Sequence, residues 1–487
     1  MNCRRIQAQR LSTLVGPVVP LSRLVIALLL LLCSVPAVTT AQDAPPSTVL
    51  FENVRVFDGK SAQLSGPTNV LVHGNIIEKV SSAPIPVDRS ATTRIISGGG
   101  RTLMPGLIDV HWHTILVRPT PAELLTVDVG YLNLEAGAEA LDTLMRGFTT
   151  VRDMGGPSFD LKQAIDKGVL AGPRIYPSGA MISVTSGHGD FRQPFELPRV
   201  IGAPLSRSEM IGGAMIADSP DEVRVRAREQ LLQGATQIKL TAGGGVASPH
   251  SPLDASTFTE SELRAAVEAA ENWGTYVAVH AYTPTSIKRA IAAGVKCIEH
   301  GHLMDEATAK LIAETGIWLS TQPFPEEMGA AFPEGSDERA KFLEVFAGMD
   351  RTYKLAQKYH IKTAFGTDVL FSQALAQRQG QLLASLIRWY TPAEALIMAT
   401  GTNAQLLELS GKRSPYSGKL GVIEEGALAD LLLIDGNPLA NIQLIADPKK
   451  NFVVIMKDGK IYKDITEPDV VNTLTRQINP SSSTRAK

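Results

Sequence analysis

The chain has 487 residues, with 47 Lys and Arg against 49 Asp and Glu, a net charge of −2, and 44% hydrophobic residues. That length suffices for a large barrel plus a smaller module, and the composition is that of an ordinary globular enzyme. With no acidic or basic block, the charge pattern gives no footing for nucleic acid as a partner.

Arg4, Arg5, Arg10 and Arg23 precede an apolar run from Leu24 to Cys33, followed by Pro36 and the small residues Thr39, Thr40 and Ala41. This is the order of a secretory signal peptide over residues 1–41. The alternative, a membrane anchor, needs about 20 apolar residues, and this run is shorter. Cleavage after Ala41 removes four Arg and no acid, so the net charge goes from −2 to −6. The expectation is an exported, periplasmic or secreted protein with no stable membrane span after processing. Cys3 and Cys33 leave with the signal, so Cys297 alone remains and the processed monomer has no internal disulfide.

Residues 42–48 are Pro- and Ser-rich and read as a tether. From 49 onward VLFENVRVF alternates, and NVLVHGNIIEKV places a Gly-Asn turn between two apolar runs, a hairpin signal. The far end reads likewise, with ADLLLIDG and FVVIMKDGKIYKD around Asp458-Gly459. The two β segments, 42–104 and 412–466, are each too small to stand alone and are expected to form one composite β-sandwich; 467–487 is a tail.

Between them, over 105–411, short apolar strands alternate with helical stretches. The strand candidates are Leu107–His111, Thr149–Asp153, Arg174–Gly179, Gln237–Thr241, Tyr276–Ala281, Cys297–Gly301, Trp318–Gln322 and Thr363–Asp368. Capping boxes open helices at Ser219–Glu222, Thr259–Glu262 and Thr391–Glu394. Eight such units suggest an α/β fold of the (β/α)8 TIM-barrel type, although a doubly wound open sheet would alternate in the same way. Two connections are long, about 181–218 and 242–258. After barrel strands such loops lie on the catalytic face.

The nine histidines are informative. His111 and His113 end the first strand two residues apart, and i, i+2 side chains share a face. His280 ends the fifth strand, His300 the sixth and Asp368 the eighth. Singly, each is more often a packed histidine or a helix cap. Together they sit where catalytic groups of a barrel converge. Lys239 lies in QIKLT between apolar neighbours on the fourth strand. On the outer wall it would snorkel between helices. Pointing inward it would be costly to bury charged, but as a neutral amine it can take up carbon dioxide to give a carbamate. That group, N6-carboxylysine, is a carboxylate able to bridge two cations. His111 and His113 would then hold one ion, His280 and His300 the other, with Lys239 shared and Asp368 close to the first.

The run LMPGLIDVHWHT, followed by QIKLTAGGGVASP, HAYT, IEHGH, FGTD and GVIEEGALADLLLIDGNPL, resembles the amidohydrolase superfamily over nearly the whole processed chain. Within it the chain is similar to the imidazolonepropionase-like branch, which includes binuclear Xaa-Pro or Xaa-Arg dipeptidases and ochratoxin-hydrolysing amidohydrolases. The resemblance implies metal roles for His111, His113, Lys239 as carbamate, His280, His300 and Asp368. It implies two divalent ions, with zinc suited to imidazole and carboxylate, though manganese and cobalt fit the same ligands. The implied reaction is attack of a metal-bridging hydroxide on an amide carbonyl, with Asp368 as general base and then acid.

The resemblance further implies that His188, in TSGHGDF, faces the substrate carbonyl and that Tyr282 contacts the substrate. Gly243–Gly245 lacks the Lys-Ser/Thr of a phosphate loop and reads as a tight turn beside Lys239. His302, His250, His360 and His73 receive no role. Arg192, Arg207, Lys288 and Arg289 are unranked candidates for holding a substrate carboxylate. The expected small-molecule substrate is a dipeptide or N-acyl amino acid, ochratoxin A included. The rivals are a cyclic amide, lactone or organophosphate hydrolase with the same metals, and a barrel that kept its fold without the chemistry. Monomer and homo-oligomer both stay open.

Overall fold

A computed structural model describes residues 48–89, 93–197, 202 and 204–466. The signal-peptide reading of 1–41, the tether up to residue 47 and the tail at 467–487 lie outside the described residues. Among the described residues no helix is long and apolar enough to cross a membrane.

The two ends of the chain build one sheet. The first part contributes β1 (Thr48–Phe57), β2 (Leu64–His73), β3 (Ile76–Ser81), β4 (Thr93–Ser97) and β5 (Thr102–Pro105). The turn at Gly74, in the left-handed region, pairs His73 with Ile76 as the Gly-Asn signal predicts. Next in the chain come β6 (Leu107–Trp112), β7 (Phe148–Asp153), β8 (Arg174–Pro177), β9 (Met181–Ser183), β10 (Ala214–Ile216), β11 (Ile238–Thr241), β12 (Val277–Ala281), β13 (Cys297–His300), β14 (Trp318–Thr321) and β15 (Thr363–Phe365). The last are β16 (Leu431–Ile434), β17 (Phe452–Lys457) and β18 (Lys460–Asp464). Asp458 and Gly459 both have positive φ, as a two-residue hairpin of primed type requires.

The terminal module runs β18-β17-β16-β5-β1-β2-β3, with β4 beside β1. The ends meet where β5 lies antiparallel to β16, Leu103 opposite Leu433. The expected sandwich is thus one continuous eight-stranded sheet, curled so that both halves share a core. Val70, Val72 and Ile77 from one half pack in the same cluster as Leu431, Leu433, Val454 and Met456 from the other.

All eight expected barrel strands are present as β6, β7, β8, β11, β12, β13, β14 and β15, parallel within each ladder. Backbone and side-chain bonds join the ladders. Thr236 N donates to Pro177 O at 2.8 Å, linking the third strand to the fourth. At the closure Asn403 Nδ2 donates to Ile108 O at 2.8 Å and Phe365 O at 2.7 Å, while Phe365 N donates to Asn403 Oδ1. One amide side chain therefore staples the first strand to the eighth.

Outward side chains of β11 to β13, including Leu240, Val279 and Ile298, pack on Leu263, Ala266, Ile287 and Ile312 of the surrounding helices. Each fully buried aliphatic of this kind contributes about 1.5–3 kcal/mol. The helices Glu260–Trp273 and Pro392–Ile397 start with reciprocal capping boxes. The third expected box is half formed. Ser219 Oγ accepts from Glu222 N, but the Glu222 carboxylate accepts from Asp218 N instead of Ser219 N. The third strand ends at Pro177, short of the expected Gly179. The chain bends at Gly179 with φ +73 and resumes as β9, which pairs with β10 and, through Ile182, with Leu240 of β11. Residues 181–183 of the stretch expected as a loop thus add to the barrel wall on the catalytic face.

Candidate active site

Period-2 alternation aims Arg152, Lys239, His280 and Glu299 into the barrel, since their neighbours Val151, Leu240, Val279 and Ile298 pack outward. Strict alternation would send His300 to the other side from Glu299. His300 instead has φ +75, which turns it into the same mouth, and Asp368 beyond β15 has φ +53. Non-glycine residues in this region are strained and are held there by their surroundings.

The structure brings together all six candidate ligands. His113 Nε2 lies 3.1 Å and His111 Nε2 3.4 Å from Asp368 Oδ1. His111, His113 and Asp368 each offer a ligand atom within 4.8 Å of one another. Lys239 Nζ is 3.5 Å from His111 Nε2. The rings of His111 and His300 are centred 4.8 Å apart, and those of His280 and His300 4.5 Å apart. His188 is 4.3 Å from His280 by the same measure, and Tyr282 is 4.7 Å from His280.

Partners outside this group set the imidazole tautomers. The His111 Nδ1–H donates to Glu299 Oε2 at 2.8 Å, His113 Nδ1–H to Gly155 O at 3.0 Å, His280 Nε2–H to Gly244 O at 2.8 Å and His300 Nδ1–H to Gln322 Oε1 at 2.7 Å. Each ring is left with a lone pair on its other nitrogen. Burial, aided by neighbouring cations and imidazoles, holds His111, His280 and His300 well below the usual histidine range, so they stay neutral. His111 Nε2 and His113 Nε2 thus converge on one carboxylate oxygen, Asp368 Oδ1, at 3.4 and 3.1 Å. A cation fits among them. Bonds of about 2.1 Å to tetrahedral ligands place those ligands roughly 3.4 Å apart, matching the spacing here. The donor set therefore fits a divalent metal.

Lys239 is 2% exposed and, unlike most buried cations, has no carboxylate in hydrogen-bond contact among the described residues. Burial lowers its ammonium pKa. A neutral amine at this place fits the carbamate chemistry.

Beneath the histidines lies a pair that sequence reasoning missed. Arg152 and Glu299 are fully buried and joined at 2.7 Å. Arg152 also donates to Val110 O and to the Tyr276 hydroxyl, and Cys297 donates to Glu299. Burial lowers the Arg152 pKa, but Glu299, Tyr276 and Cys297 together outweigh it, so the guanidinium stays charged. Its signal was available in TVRD, a basic residue within a strand beside Val151, akin to the signal that drew attention to Lys239. Asp109 was likewise missed. It accepts from the backbone of His111 and of Thr367, tying the first strand to the eighth.

His188 Nδ1 is 2.8 Å from the Ser248 hydroxyl, and burial lowers its pKa to about 3. The glycine run expected as a tight turn is instead bridged, Gly243 to Ser256. A Cβ on Gly245 would meet the His188 ring at 2.0 Å, and the Gly244 carbonyl anchors His280. His302 is buried, donates to Gln322 O, and does not line the cavity.

The mouth opens into a cavity of about 490 Å³ lined by all six candidate ligands, His188 and Tyr282, with a wall that includes Phe191, Phe324, Phe332, Phe342 and Phe371. None of Arg192, Arg207, Lys288 and Arg289 lines it. Arg192 pairs with Asp190, Arg207 donates to Val127 O, and Arg289 to Ser256 O and Phe258 O.

Residues 102–463 match the profile of the amidohydrolase family. The chain is 32% identical over 392 residues to a curated Aspergillus niger ochratoxinase, covering 74% of this chain and 75% of that one. The crystal structure of an A. niger ochratoxinase superposes with a TM-score of 0.75 at 27% identity, covering 86% and 96% of the two chains. A prolidase solved with N-methylphosphonate-L-proline gives 0.78 at 33% identity, covering 86% and 100%. A Xaa-Pro dipeptidase solved with methionine in its active site gives 0.73 at 31% identity, with the same coverage.

Proposed function

Because the chain belongs to the amidohydrolase family and is a hydrolase of amide bonds, we propose that it releases a C-terminal amino acid from a dipeptide or N-acyl amino acid, ochratoxin A among them. The observation that carries this is the meeting of His111, His113 and Asp368 ligand atoms within 4.8 Å at the floor of an apolar cavity. Asp368 with His111 and His113 would hold one divalent cation. His280 and His300 would hold a second, and Lys239, carboxylated on Nζ, would serve both. When bound, such ions, zinc foremost, supply a nucleophilic water at neutral pH and an electrophile for the carbonyl oxygen.

The chain's own groups do the rest. Asp368 takes a proton from the attacking water and returns it to the leaving amine. With Nδ1 engaged by Ser248, His188 turns its other nitrogen toward the cavity, where an N–H would orient the substrate carbonyl. Tyr282 contacts the bound substrate, and the phenylalanine wall keeps bulk water from the reacting atoms. The residues 42–104 and 412–466 form the supporting module of a barrel spanning 105–411, and the N-terminal 41 residues direct export.

The test is hydrolysis of a dipeptide and N-acyl amino acid library by zinc-loaded protein, beside Lys239→Ala and Asp368→Ala. Activity on the library, abolished in both variants, with two ions per chain by elemental analysis, is expected. Faster turnover of lactones than of any library member would move the assignment to the rival hydrolase. Absence of both bound metal and hydrolysis would leave a binding protein.

A further inference from the structure

Among the described residues, the one cation apart from Lys239 that lines the cavity is Arg378. It lies on the same βα loop as Asp368, ten residues further on, and this loop supplies a wall of the cavity through Leu370, Phe371 and Leu375. Its Nη2 is 2.6 Å from Glu327 Oε1 on the loop after β14, and its Nε donates to Gln381 Oε1 at 2.8 Å. Nη1 has no hydrogen-bond partner among the described residues. Arg378 and Glu327 are 40% and 56% exposed, and a pair so open to solvent is held by little free energy. An incoming carboxylate can therefore displace Glu327 at small cost and meet the planar fork of a guanidinium, which matches it with two parallel hydrogen bonds. Arg192, Arg207 and Arg289 are committed to internal partners, as described above, and Lys288 does not line the cavity.

We propose that Arg378 is the specificity residue that reads the substrate's free carboxylate, and that Glu327 competes with that carboxylate for the guanidinium. The substrate class that fits is an acylated amino acid with a bulky aromatic portion against the phenylalanine wall and one anionic end at Arg378. This rests on the amide-hydrolase reading above.

The test uses N-benzoyl-L-phenylalanine and N-benzoylphenethylamine, the same amide with the carboxylate replaced by hydrogen. Loss of one charge-assisted contact predicts that Arg378→Gln lowers kcat/KM for the acid about 10–100-fold, through KM. The loss on the neutral amide should be at least tenfold smaller. Arg378→Lys recovers part of the preference, and Glu327→Gln lowers KM for the acid. A parallel calorimetric titration of both compounds into metal-loaded Asp368→Asn protein, with and without Arg378→Gln, reads binding apart from turnover. If Arg378→Gln weakens both compounds equally, or weakens neither, in kinetics and in calorimetry, the assignment is overturned. If the acid binds through Arg378 but no amide is cleaved, Arg378 stands as a carboxylate reader and the amide-hydrolase reading falls. Matching thermal melts exclude misfolding as the cause.

Discussion

Two fully buried regions of this molecule are built from the same element, the β-strand, on opposite principles. The core of the terminal sheet is wholly apolar, with Val54, Val70, Val72, Leu103, Leu433 and Val454 in one cluster. The barrel interior below the mouth holds Arg152, Glu299, Tyr276, Gln322 and Lys239, nearly all within a hydrogen bond of another member or of a candidate ligand. The first region is stabilised by area removed from water, a term without direction that tolerates exchange of one aliphatic for another. The second is directional. Its charges cost free energy to bury, and an apolar replacement of a buried pair is often as stable or more so. Arg152 and Glu299 are thus not explained by stability. They are explained by holding Glu299 against the His111 Nδ1–H, which keeps the Nε2 lone pair aimed at Asp368.

The sharpest way to break this contrast is Asp368→Asn. Removing the proposed proton carrier should reduce kcat about 10²–10⁴-fold, while the melting temperature stays level or rises, because Asn tolerates φ +53 as well as Asp does. Steady-state kinetics and a thermal melt decide it, and a kcat within threefold of the parent would take the chemistry away from this mouth. Next in size is Arg152→Met, which strands Glu299 as an unpaired buried charge and should cost about 3–5 kcal/mol in urea unfolding. The double variant Arg152→Met, Glu299→Leu should regain most of that stability without regaining affinity for divalent ions, measured by competition with a chelator. Recovery of both would mean that the pair has no orienting role.

Much of this was legible beforehand because both signals are local. β-branched runs and caps mark strands and helices, and a histidine or aspartate at a strand end marks the mouth. All eight barrel strands and five of the six converging side chains were found in that way, and Lys239 as a charge between apolar neighbours on a strand. What escaped depends on distant partners. Nothing near Glu299 announces Arg152, 147 residues away, or His111, 188 away. The bend at Gly179, after which the chain resumes as β9, falls in a stretch so rich in Gly, Pro and Ser that local propensity reads it as loop. Arg378 was invisible because a cavity wall made of loops has no periodicity to read.

On the apolar side of the comparison, Leu433→Ala should lower stability by about 2–5 kcal/mol through the void it leaves. kcat and divalent affinity per folded molecule should stay as they were. Leu433→Met, which keeps the volume, should cost less than about 1.5 kcal/mol. A change in kcat from the alanine variant would show that the sheet is mechanically coupled to the mouth.

The smallest effect tests the directional side without disturbing any charge. Gln322→Met is close to isosteric and removes the acceptor of the His300 Nδ1–H, now 2.7 Å away. A carboxylate oxygen, Asp368 Oδ2, lies 3.9 Å from that nitrogen. Rotation of the ring to reach it would take the His300 lone pair off its present line and engage the carboxylate proposed to carry the proton. Loss of an orienting partner of this kind typically weakens metal binding about 10–100-fold, while stability should fall by only about 1–3 kcal/mol for the unpaired N–H. Gln322→Glu keeps an acceptor at the same place and should hold the affinity. Chelator competition on the two variants separates the readings. Equal affinities in Gln322→Met and the parent would mean that His300 is aimed by packing alone, and the contrast between the two regions would then hold for the His111 side of the mouth only.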